Sequence, residues 1–299
     1  MEQTTKHKTC AVVVTHNRRA LLERCLAALK QQSAPCDVLV VDNASTDGTE
    51  RWLAEQAAQD SRLRLYRSAE NLGGAGGFHT GMRLALEAGY EWLWIMDDDS
   101  LAAPTALEKL LAADRALAGE YGWLSSRALW TDGTPCRMNV QRRTPYRDIT
   151  DFTGRLVPSV MASFVSLFLR AETARRFGLP LKEFFIWTDD WEYTRRISRR
   201  LPCYVCTESM VVHAMRHNTV VDIATDSEER LPRYRYAYRN DVYLYRREGV
   251  AGWLWLLAKD GYHTARLLLA GRPKRIAIIW KGFWEGVRFR VQAEAGEEV

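Results

Sequence analysis

The sequence contains no long hydrophobic run, no internal repeat and no low-complexity segment. No stretch of its 299 residues reaches the roughly 18 uninterrupted apolar residues of a membrane-spanning helix, and the longest candidate, 250–258, ends at Lys259. The first eight residues are polar and basic, without the apolar segment of a secretory signal peptide. These absences argue against a membrane-spanning or exported protein, and we expect the chain to fold in the cytoplasm.

The sequence also lacks a paired metal-binding cysteine motif. Of its six cysteines, only Cys203 and Cys206 have the two-residue spacing of zinc or redox sites, and no second pair accompanies them. Residues 202–206 instead have the composition of a strand. Reduced thiols in a cytosolic protein agree best with this pattern.

Charge is unevenly distributed along the chain. The net charge is +5, with 26% charged and 47% hydrophobic residues, which is ordinary for a globular protein. Between Arg230 and Arg290 there are fourteen Lys and Arg residues but only four acids, so this region alone carries +10 and the remainder is net acidic. The change in composition near Thr225 predicts a domain at 1–225 and a basic, aromatic, helical region at 226–299.

Strands and helices alternate in the first hundred residues. Apolar and β-branched runs predict strands at 10–14, 38–41, 63–66 and 91–96, and apolar residues at helical spacing predict helices at 19–31 and 50–58. A further helix follows the glycine-rich residues 71–77. This alternation is typical of an α/β protein with a doubly wound, mostly parallel sheet, which binds ligands at the carboxyl ends of its strands.

The later segments are less regular. Their patterns predict helices at 104–117 and 188–200 and strands at 160–169 and 204–212. Residues 131–158 are polar and rich in Arg, Thr and Gly, and we expect them to be irregular and mobile.

Three consecutive carboxylates, Asp97, Asp98 and Asp99, follow the apolar run 92–96. Two unit charges about 4 Å apart repel by roughly 4 kcal/mol at an effective dielectric of 20, so such a cluster favours a cation. Hard divalent ions take carboxylate oxygens and leave positions open for substrate phosphates. The triplet therefore predicts a metal and diphosphate site, with a solvated acidic turn as the alternative.

Other polar groups lie at the predicted strand ends. Thr15 and Asn17 follow the first strand and Asp42 closes the second, so they could pair with a pyrimidine base or merely cap helices. The glycines of 71–77 would let backbone N–H groups approach a diphosphate. A dinucleotide fingerprint is excluded because the run follows the third strand and lacks the GxGxxG register.

The segment 184–193 combines aromatic residues with three acids. Asp190 is a candidate general base, since apolar surroundings raise a carboxylate's basicity. Glu192 either orients an acceptor or pairs with a nearby arginine, and the two tryptophans of the segment form either a sugar platform or core. His213, at the end of a predicted strand, is either a metal ligand or a structural residue.

Five motifs in order make residues 9–217 resemble the family 2 inverting glycosyltransferases of GT-A fold. They are residues 15–18, 41–49, 71–74, 97–99 and 187–193. The resemblance implies that a nucleotide-sugar is bound by Thr15, Asn17, Arg18, Asp42, Asn71, Gly73, Gly74, Asp97 and Asp98. It implies a Mn²⁺ or Mg²⁺ ion held by Asp97, Asp99 and His213, Asp190 as catalytic base, and an acceptor site formed by Trp187, Asp189, Trp191 and Glu192.

Within this family, residues 73–78 and 187–193 are most similar to bacterial galactofuranosyltransferases and rhamnosyltransferases of surface polysaccharides. This implies a UDP-galactofuranose donor, or dTDP-rhamnose as the alternative, and a polyprenyl-diphosphate-linked glycan acceptor. Thr188 departs from the pattern, since many members carry glycine there. Two rivals remain: a nucleotidyltransferase, which would need a basic glycine-rich loop after the first strand, and a non-catalytic sugar-nucleotide scaffold, which would not need Asp190.

The basic C-terminal region contains an amphipathic stripe that begins at Ile276. Its apolar positions Ile279, Trp280, Phe283, Trp284, Val287 and Val291 share one helical face. Such a stripe either packs on a neighbouring helix or lies on anionic lipid. No nucleic-acid motif accompanies it. We expect a peripheral location at the inner face of the cell membrane.

Overall fold

The computed structural model describes residues 8–291. Its strands are β1 (Thr9–Thr15), β2 (Asp37–Asp42), β3 (Leu63–Arg67), β4 (Trp92–Asp97), β5 (Ser100–Ala102), β6 (Leu124–Leu129), β7 (Arg142–Thr144), β8 (Arg147–Asp148), β9 (Leu156–Pro158), β10 (Leu167–Arg170) and β11 (Tyr204–His213). Its α-helices are α1 (Arg19–Lys30), α2 (Thr49–Gln59), α3 (Gly73–Glu87), α4 (Ala106–Ala116), α5 (Ala171–Phe177), α6 (Asp189–Ser198), α7 (Leu231–Tyr245), α8 (Gly249–Leu269) and α9 (Ile276–Arg288).

Most of the strands form one mixed sheet in the order β3-β2-β1-β4-β10-β6-β11-β5, with β9 also paired to β11. The first four strands in this order are parallel, and β6 is parallel to β11. β10 runs antiparallel to both of its neighbours. The predicted α/β class and mostly parallel sheet are confirmed.

The core lies on both faces of this sheet. β1 is buried along its whole length, as expected for a β-branched strand between two layers of helices. On one face, α1 contributes Leu22, Cys25 and Leu29, and on the other α3 contributes Phe78 and Met82. The four N-terminal strands thus present their carboxyl ends at one edge, between the helices that follow them.

The sequence predicted that the glycine-rich run 71–77 precedes a helix. In the structure, residues 73–77 instead form the first turns of α3. α3 begins at Gly73 because the Asn71 side chain accepts a hydrogen bond from the Gly73 amide, 2.9 Å away. A Cβ at Gly77 would lie 2.5 Å from Val14 Cγ1, so glycine is needed for α3 to pack closely on β1.

Two segments differ from the predicted elements. Residues 131–158, expected to be irregular, contain the small β7–β8 pair and the sheet strand β9. In the predicted strand 160–169, only the end belongs to β10. The Ala162 amide donates instead to Thr194 Oγ1 at 3.2 Å, so a contact with α6 replaces strand pairing there.

The three C-terminal helices pack on one another and on the segment around Phe184. α9 buries Ile279 and Phe283, and Gly282 and Gly286 bring it close to the backbone of α7. Most of the amphipathic stripe therefore packs on a helix, the first of the two alternatives, although Trp284 is exposed. Phe184 joins a core cluster with Tyr243 of α7. No helix within residues 8–291 combines the length and apolarity needed to cross a membrane.

Candidate active site

Parallel pairing gathers the predicted binding residues at one edge of the sheet. Thr15 lies opposite Asp42 across the β1–β2 pair, and Val14 lies opposite Asp97 across the β1–β4 pair. Asp98 and Asp99 form the tight turn from β4 to β5. His213 reaches the same edge because the end of β11 pairs with β5, with His213 opposite Ser100.

A group able to hold a metal ion is formed by Asp97, Asp99 and His213. Their ligand atoms lie within 4.8 Å of one another. His213 Nε2 is 2.9 Å from Asp99 Oδ1, and its Nδ1 is 2.7 Å from Asn139 Oδ1. Two carboxylates and an imidazole suit Mn²⁺ or Mg²⁺, with the nitrogen favouring Mn²⁺.

Asn139 is a residue that the sequence did not reveal. It lies in the segment predicted to be irregular, yet its side chain is buried and its amide donates to Ser163 Oγ at 2.9 Å. Oxygen acceptors on the second ring nitrogen commonly orient metal-binding histidines. No motif in the sequence marks this position.

Arg18 and Thr15 hold the acidic triplet. The Arg18 guanidinium donates to Asp98 Oδ1 at 3.2 Å and to Asp99 Oδ2 at 2.8 Å. The Thr15 hydroxyl donates to Asp98 Oδ2 at 2.7 Å. Thr15 therefore supports the triplet directly, and its predicted contact with a nucleotide base stays a prediction.

The pKa values of the cluster reflect the burial of its carboxylates and the charges around them. Burial, and after it the charge of Asp99, raises the pKa of Asp97 to about 7, and burial raises the pKa of Asp98 to about 6. Burial would also raise the pKa of Asp99, but hydrogen bonds from His213 and Arg18 lower it below its ordinary value. A divalent cation would relieve this repulsion, so the residues present fit such an ion.

The predicted base-binding residues lie beside the triplet at the same edge of the sheet. Asp42 is fully buried, and its Oδ1 accepts the Ser45 amide at 3.0 Å. Its Oδ2 is buried and accepts no hydrogen bond from the described residues, although Arg67 Nε forms an ion pair with it at 3.7 Å. Asn17, at φ +54°, uses its side-chain oxygen to accept the Thr46 amide at 2.7 Å. Asp42 Oδ2 is thus an acceptor that an N–H donor of a ligand could satisfy.

The start of α3 is partly covered. A Cβ at Gly73 would lie 2.0 Å from the Phe185 carbonyl oxygen, whereas one at Gly74 would meet nothing within 4 Å. The same Phe185 oxygen accepts the Ala75 amide at 3.2 Å. The space beside Gly74 is therefore open at this helix end, whereas the Phe185 carbonyl fills the space beside Gly73.

Asp189 and Asp190 are the first residues of α6. Burial, followed by the charge of Asp189, raises the pKa of Asp190 well above its ordinary value, and burial raises the pKa of Asp189 to about 7. The charge of Asp97 contributes to both shifts, so the acids of α6 lie near the triplet. A carboxylate with raised pKa beside a cluster able to hold a metal ion is a candidate general base.

The predicted acceptor residues have different surroundings. The Arg142 guanidinium lies 4.2 Å from the centre of the half-buried Trp191 ring, and Trp187 packs edge-on against Tyr234. Glu192 is buried and pairs with Arg196 at 3.0 Å, which is the second of its two alternatives. Acceptor contacts of these residues stay predictions.

Comparison with known proteins agrees with this site. The family model described as glycosyl transferase family 2 matches residues 10–121. The galactofuranosyltransferase GlfT1 of Mycobacterium tuberculosis (strain H37Rv) is 31% identical over 297 residues, which cover 94% of this chain and 93% of the relative. The chain belongs to glycosyl transferase family 2. It is therefore a glycosyltransferase, as the motifs predicted.

Other family 2 relatives are similar over different lengths. GlfT1 of Mycolicibacterium smegmatis is 29% identical over 90% of this chain and 94% of its own. An undecaprenyl-phosphate mannosyltransferase of Micrococcus luteus is 35% identical over 36% of this chain and 44% of its own.

Solved structures share the fold. A mannosyltransferase from Pyrobaculum calidifontis, in complex with GDP-Man and Mn²⁺, superposes with a TM-score of 0.55 at 18% identity over 95% of this chain and 88% of its own. GalNAc-T7 with UDP, GalNAc and Mn²⁺ has a TM-score of 0.57 at 14% identity over 79% of this chain and 50% of its own. The predicted GT-A fold is confirmed.

Proposed function

We propose that this glycosyltransferase moves galactofuranose from UDP-galactofuranose onto a hydroxyl of a growing, lipid-linked bacterial surface polysaccharide. The observation that carries the donor is the 31% identity to a galactofuranosyltransferase over almost the whole of both chains. The acceptor class is supported by shorter relatives named for undecaprenyl-phosphate and polyprenol substrates.

The donor would lie along the edge of the sheet. Asp42, whose buried Oδ2 accepts no hydrogen bond from the described residues, would accept an N–H of the base, and Thr15 and Asn17 would lie beside that base. The diphosphate would lie by Asn71, Gly74 and the start of α3, with Gly73 fixing the turn. Arg18, Asp97 and Asp98 would contact the ribose and phosphates.

The reaction would be a single displacement that inverts the anomeric carbon. Asp97, Asp99 and His213 would hold the divalent ion, with Asn139 orienting the imidazole. When bound, the ion supplies Lewis-acid stabilisation of the departing diphosphate.

Asp190 would take the proton from the attacking acceptor hydroxyl. Its raised pKa makes it more basic than an exposed aspartate. Asp189, Trp187, Trp191 and Glu192 surround it on the acceptor side, with Glu192 acting through its pair with Arg196. The helical region within residues 226–291 would close this side.

A peripheral position at the membrane would suit a lipid-linked acceptor, and α8 is the helix that offers a surface for it. Its outward face is apolar and exposed without a charged residue, over Val250, Leu254, Leu257, Ala258, Gly261, Tyr262, Ala265, Leu268 and Leu269. The four acids of 230–290 form ion pairs with basic residues of the same chain. Arg272, Lys274 and Lys281 are exposed. Each such cation near anionic lipid contributes about 1 kcal/mol.

A donor panel tests the proposed chemistry. The protein is incubated with Mn²⁺, a short polyprenyl-diphosphate-linked acceptor and, separately, UDP-galactofuranose, UDP-galactopyranose or dTDP-rhamnose, and products are read by mass spectrometry. We expect transfer from UDP-galactofuranose that EDTA abolishes. Transfer from dTDP-rhamnose alone would refute UDP-galactofuranose as the donor. Nucleotide binding without transfer or hydrolysis of any donor would indicate the non-catalytic sugar-nucleotide scaffold.

Flotation with vesicles tests the membrane position. We expect wild-type protein to float with anionic vesicles at low salt and Leu254→Glu to remain at the bottom. Val220→Glu is the matched control, because Val220 is equally exposed but lies outside α8. Equal flotation of both variants would remove α8 from the contact.

A further inference from the structure

The five residues Phe184 to Thr188, here called the strap, enter the catalytic helix α6 in an unusual backbone conformation. Phe185, Trp187 and Thr188 have φ values of +64°, +65° and +67°, and none of them is glycine. This left-handed region is unfavourable for residues with a Cβ, and such conformations persist only where the surroundings hold them. The strap ends one residue before Asp189, so its shape sets where the acids of α6 lie.

Asn240 of α7 supplies the first part of that support. It is fully buried, and its side-chain amide donates to the carbonyls of Phe184, Ile186 and Trp187 at 3.0, 3.1 and 2.8 Å. Its neighbour Arg239 donates to the carbonyl of Glu183 at 2.6 Å. One buried side chain thus donates to three carbonyls of the strap, of which those of Ile186 and Trp187 would otherwise lack a backbone partner within regular secondary structure.

Asp241 supplies the second part. The Thr188 hydroxyl donates to Asp241 Oδ1 at 2.8 Å, and Lys259 of α8 donates to Asp241 Oδ2 at 2.5 Å. Burial would lower the pKa of Lys259, but the charges of Asp241 and Asp260 outweigh it and raise the pKa above its ordinary value. A glycine at position 188 would adopt φ +67° without strain, yet it has no hydroxyl to reach Asp241. The strained threonine therefore makes a contact that glycine could not.

We propose that Asn240 and Asp241 are positioning residues for the transfer reaction, which hold the strap so that Asp190 meets the acceptor hydroxyl. The inference rests on the proposed role of Asp190. It assigns a part of the active site to α7, outside the segment that matches the family model. The Phe185 carbonyl of the strap meets the start of α3, where the diphosphate would lie, but Asn240 and Asp241 hold other groups of the strap. Loosening those groups therefore slows transfer and keeps the Kd for UDP within twofold of wild type.

The test compares turnover with nucleotide binding in matched variants of the full chain. Thr188→Val keeps the β-branch and removes the hydroxyl, Thr188→Ser keeps the hydroxyl, and Asn240→Asp replaces the donating amide with an acceptor. Turnover is measured with UDP-galactofuranose, or dTDP-rhamnose if the panel selects it. UDP binding with Mn²⁺ is measured by calorimetry. Thr207→Val is the control, because the half-buried Thr207 also loses a hydroxyl that donates a hydrogen bond, in its case to the Gly154 carbonyl.

We expect kcat to fall at least tenfold in Thr188→Val and Asn240→Asp, with the Kd for UDP within twofold of wild type, and Thr188→Ser to stay within threefold of wild-type kcat. Turnover within twofold of wild type in Thr188→Val, or an equal loss in Thr207→Val, would overturn the proposal. So would a tenfold loss of UDP affinity in the same variants. If Asn240→Asp does not fold, the Thr188 pair decides.

The outcome is separable from that of the proposed function. An active Asp190→Asn would refute the base assignment whatever the strap variants do. An inactive Asp190→Asn, together with strap variants that turn over normally, would refute only the positioning role.

Discussion

Asp189→Asn is expected to stabilise the metal-free protein at neutral and alkaline pH. Burial raises the pKa of Asp189 from 3.8 to about 7. Since the folded-state pKa lies above the unfolded value, the folded state holds this proton more tightly, and that stability is lost as pH rises through about 7. This rise in pKa corresponds to a loss of roughly 4 kcal/mol of stability at pH 8 and of roughly 1–2 kcal/mol at pH 5. Asparagine imitates the neutral acid and avoids this loss.

The net gain is smaller because an amide nitrogen cannot accept the backbone hydrogen bonds that a carboxylate oxygen accepts. We therefore expect about 2–4 kcal/mol at pH 8, which corresponds to a rise in Tm of roughly 5–15 °C for a chain of this size. Denaturant unfolding at pH 5 and pH 8 in EDTA measures the difference. Asp132→Asn is the control, since that exposed carboxylate has a lowered pKa and its replacement should stabilise at neither pH. An equal gain for Asp189→Asn at pH 5 and pH 8 would refute the reasoning.

Three further substitutions have expected outcomes. Asp190→Asn should lower kcat by about 10²–10⁴ because the general base is lost, with the Kd for UDP retained in calorimetry; turnover within tenfold of wild type would contradict this. Asn139→Ala should weaken Mn²⁺ binding by about 10- to 100-fold by releasing the His213 ring, measured by titration, and unchanged affinity would separate Asn139 from the metal. Glu192→Gln should lower stability by about 1–3 kcal/mol by weakening the buried pair with Arg196, measured by unfolding, whereas a raised acceptor KM at unchanged stability would restore an acceptor role.

Local patterns predicted the first half of the fold well. Strands β1 to β4 and helices α1 and α2 are marked by periodicity and turn residues, and their parallel pairing follows from the alternation. The candidate site followed because each polar cluster ends a strand. His213 could be placed by the same rule, although its approach to Asp99 depends on the distant pairing of β11 with β5.

The remainder depends on contacts that are remote in sequence. α3 begins at Gly73 partly because the Phe185 carbonyl covers its first turn. Trp187 and Thr188 have positive φ values, although residues of these types normally avoid them. The sequence therefore gives no indication of this backbone conformation. The sequence shows that Thr188 stands where many members of the family carry glycine. It does not show the contact of the Thr188 hydroxyl with Asp241.

The shared packing of the strap and the C-terminal helices limits how this enzyme can be recombined with its relatives. Phe184 lies in one core cluster with Tyr243, and Trp191 packs in another with Val242. A chimera joined near residue 225 would transfer α7 without the strap on which it packs. Exchanges of acceptor preference should therefore transfer residues 182–198 together with 231–288 as a single unit, with Ala75 of α3 matched to both because it belongs to the same cluster.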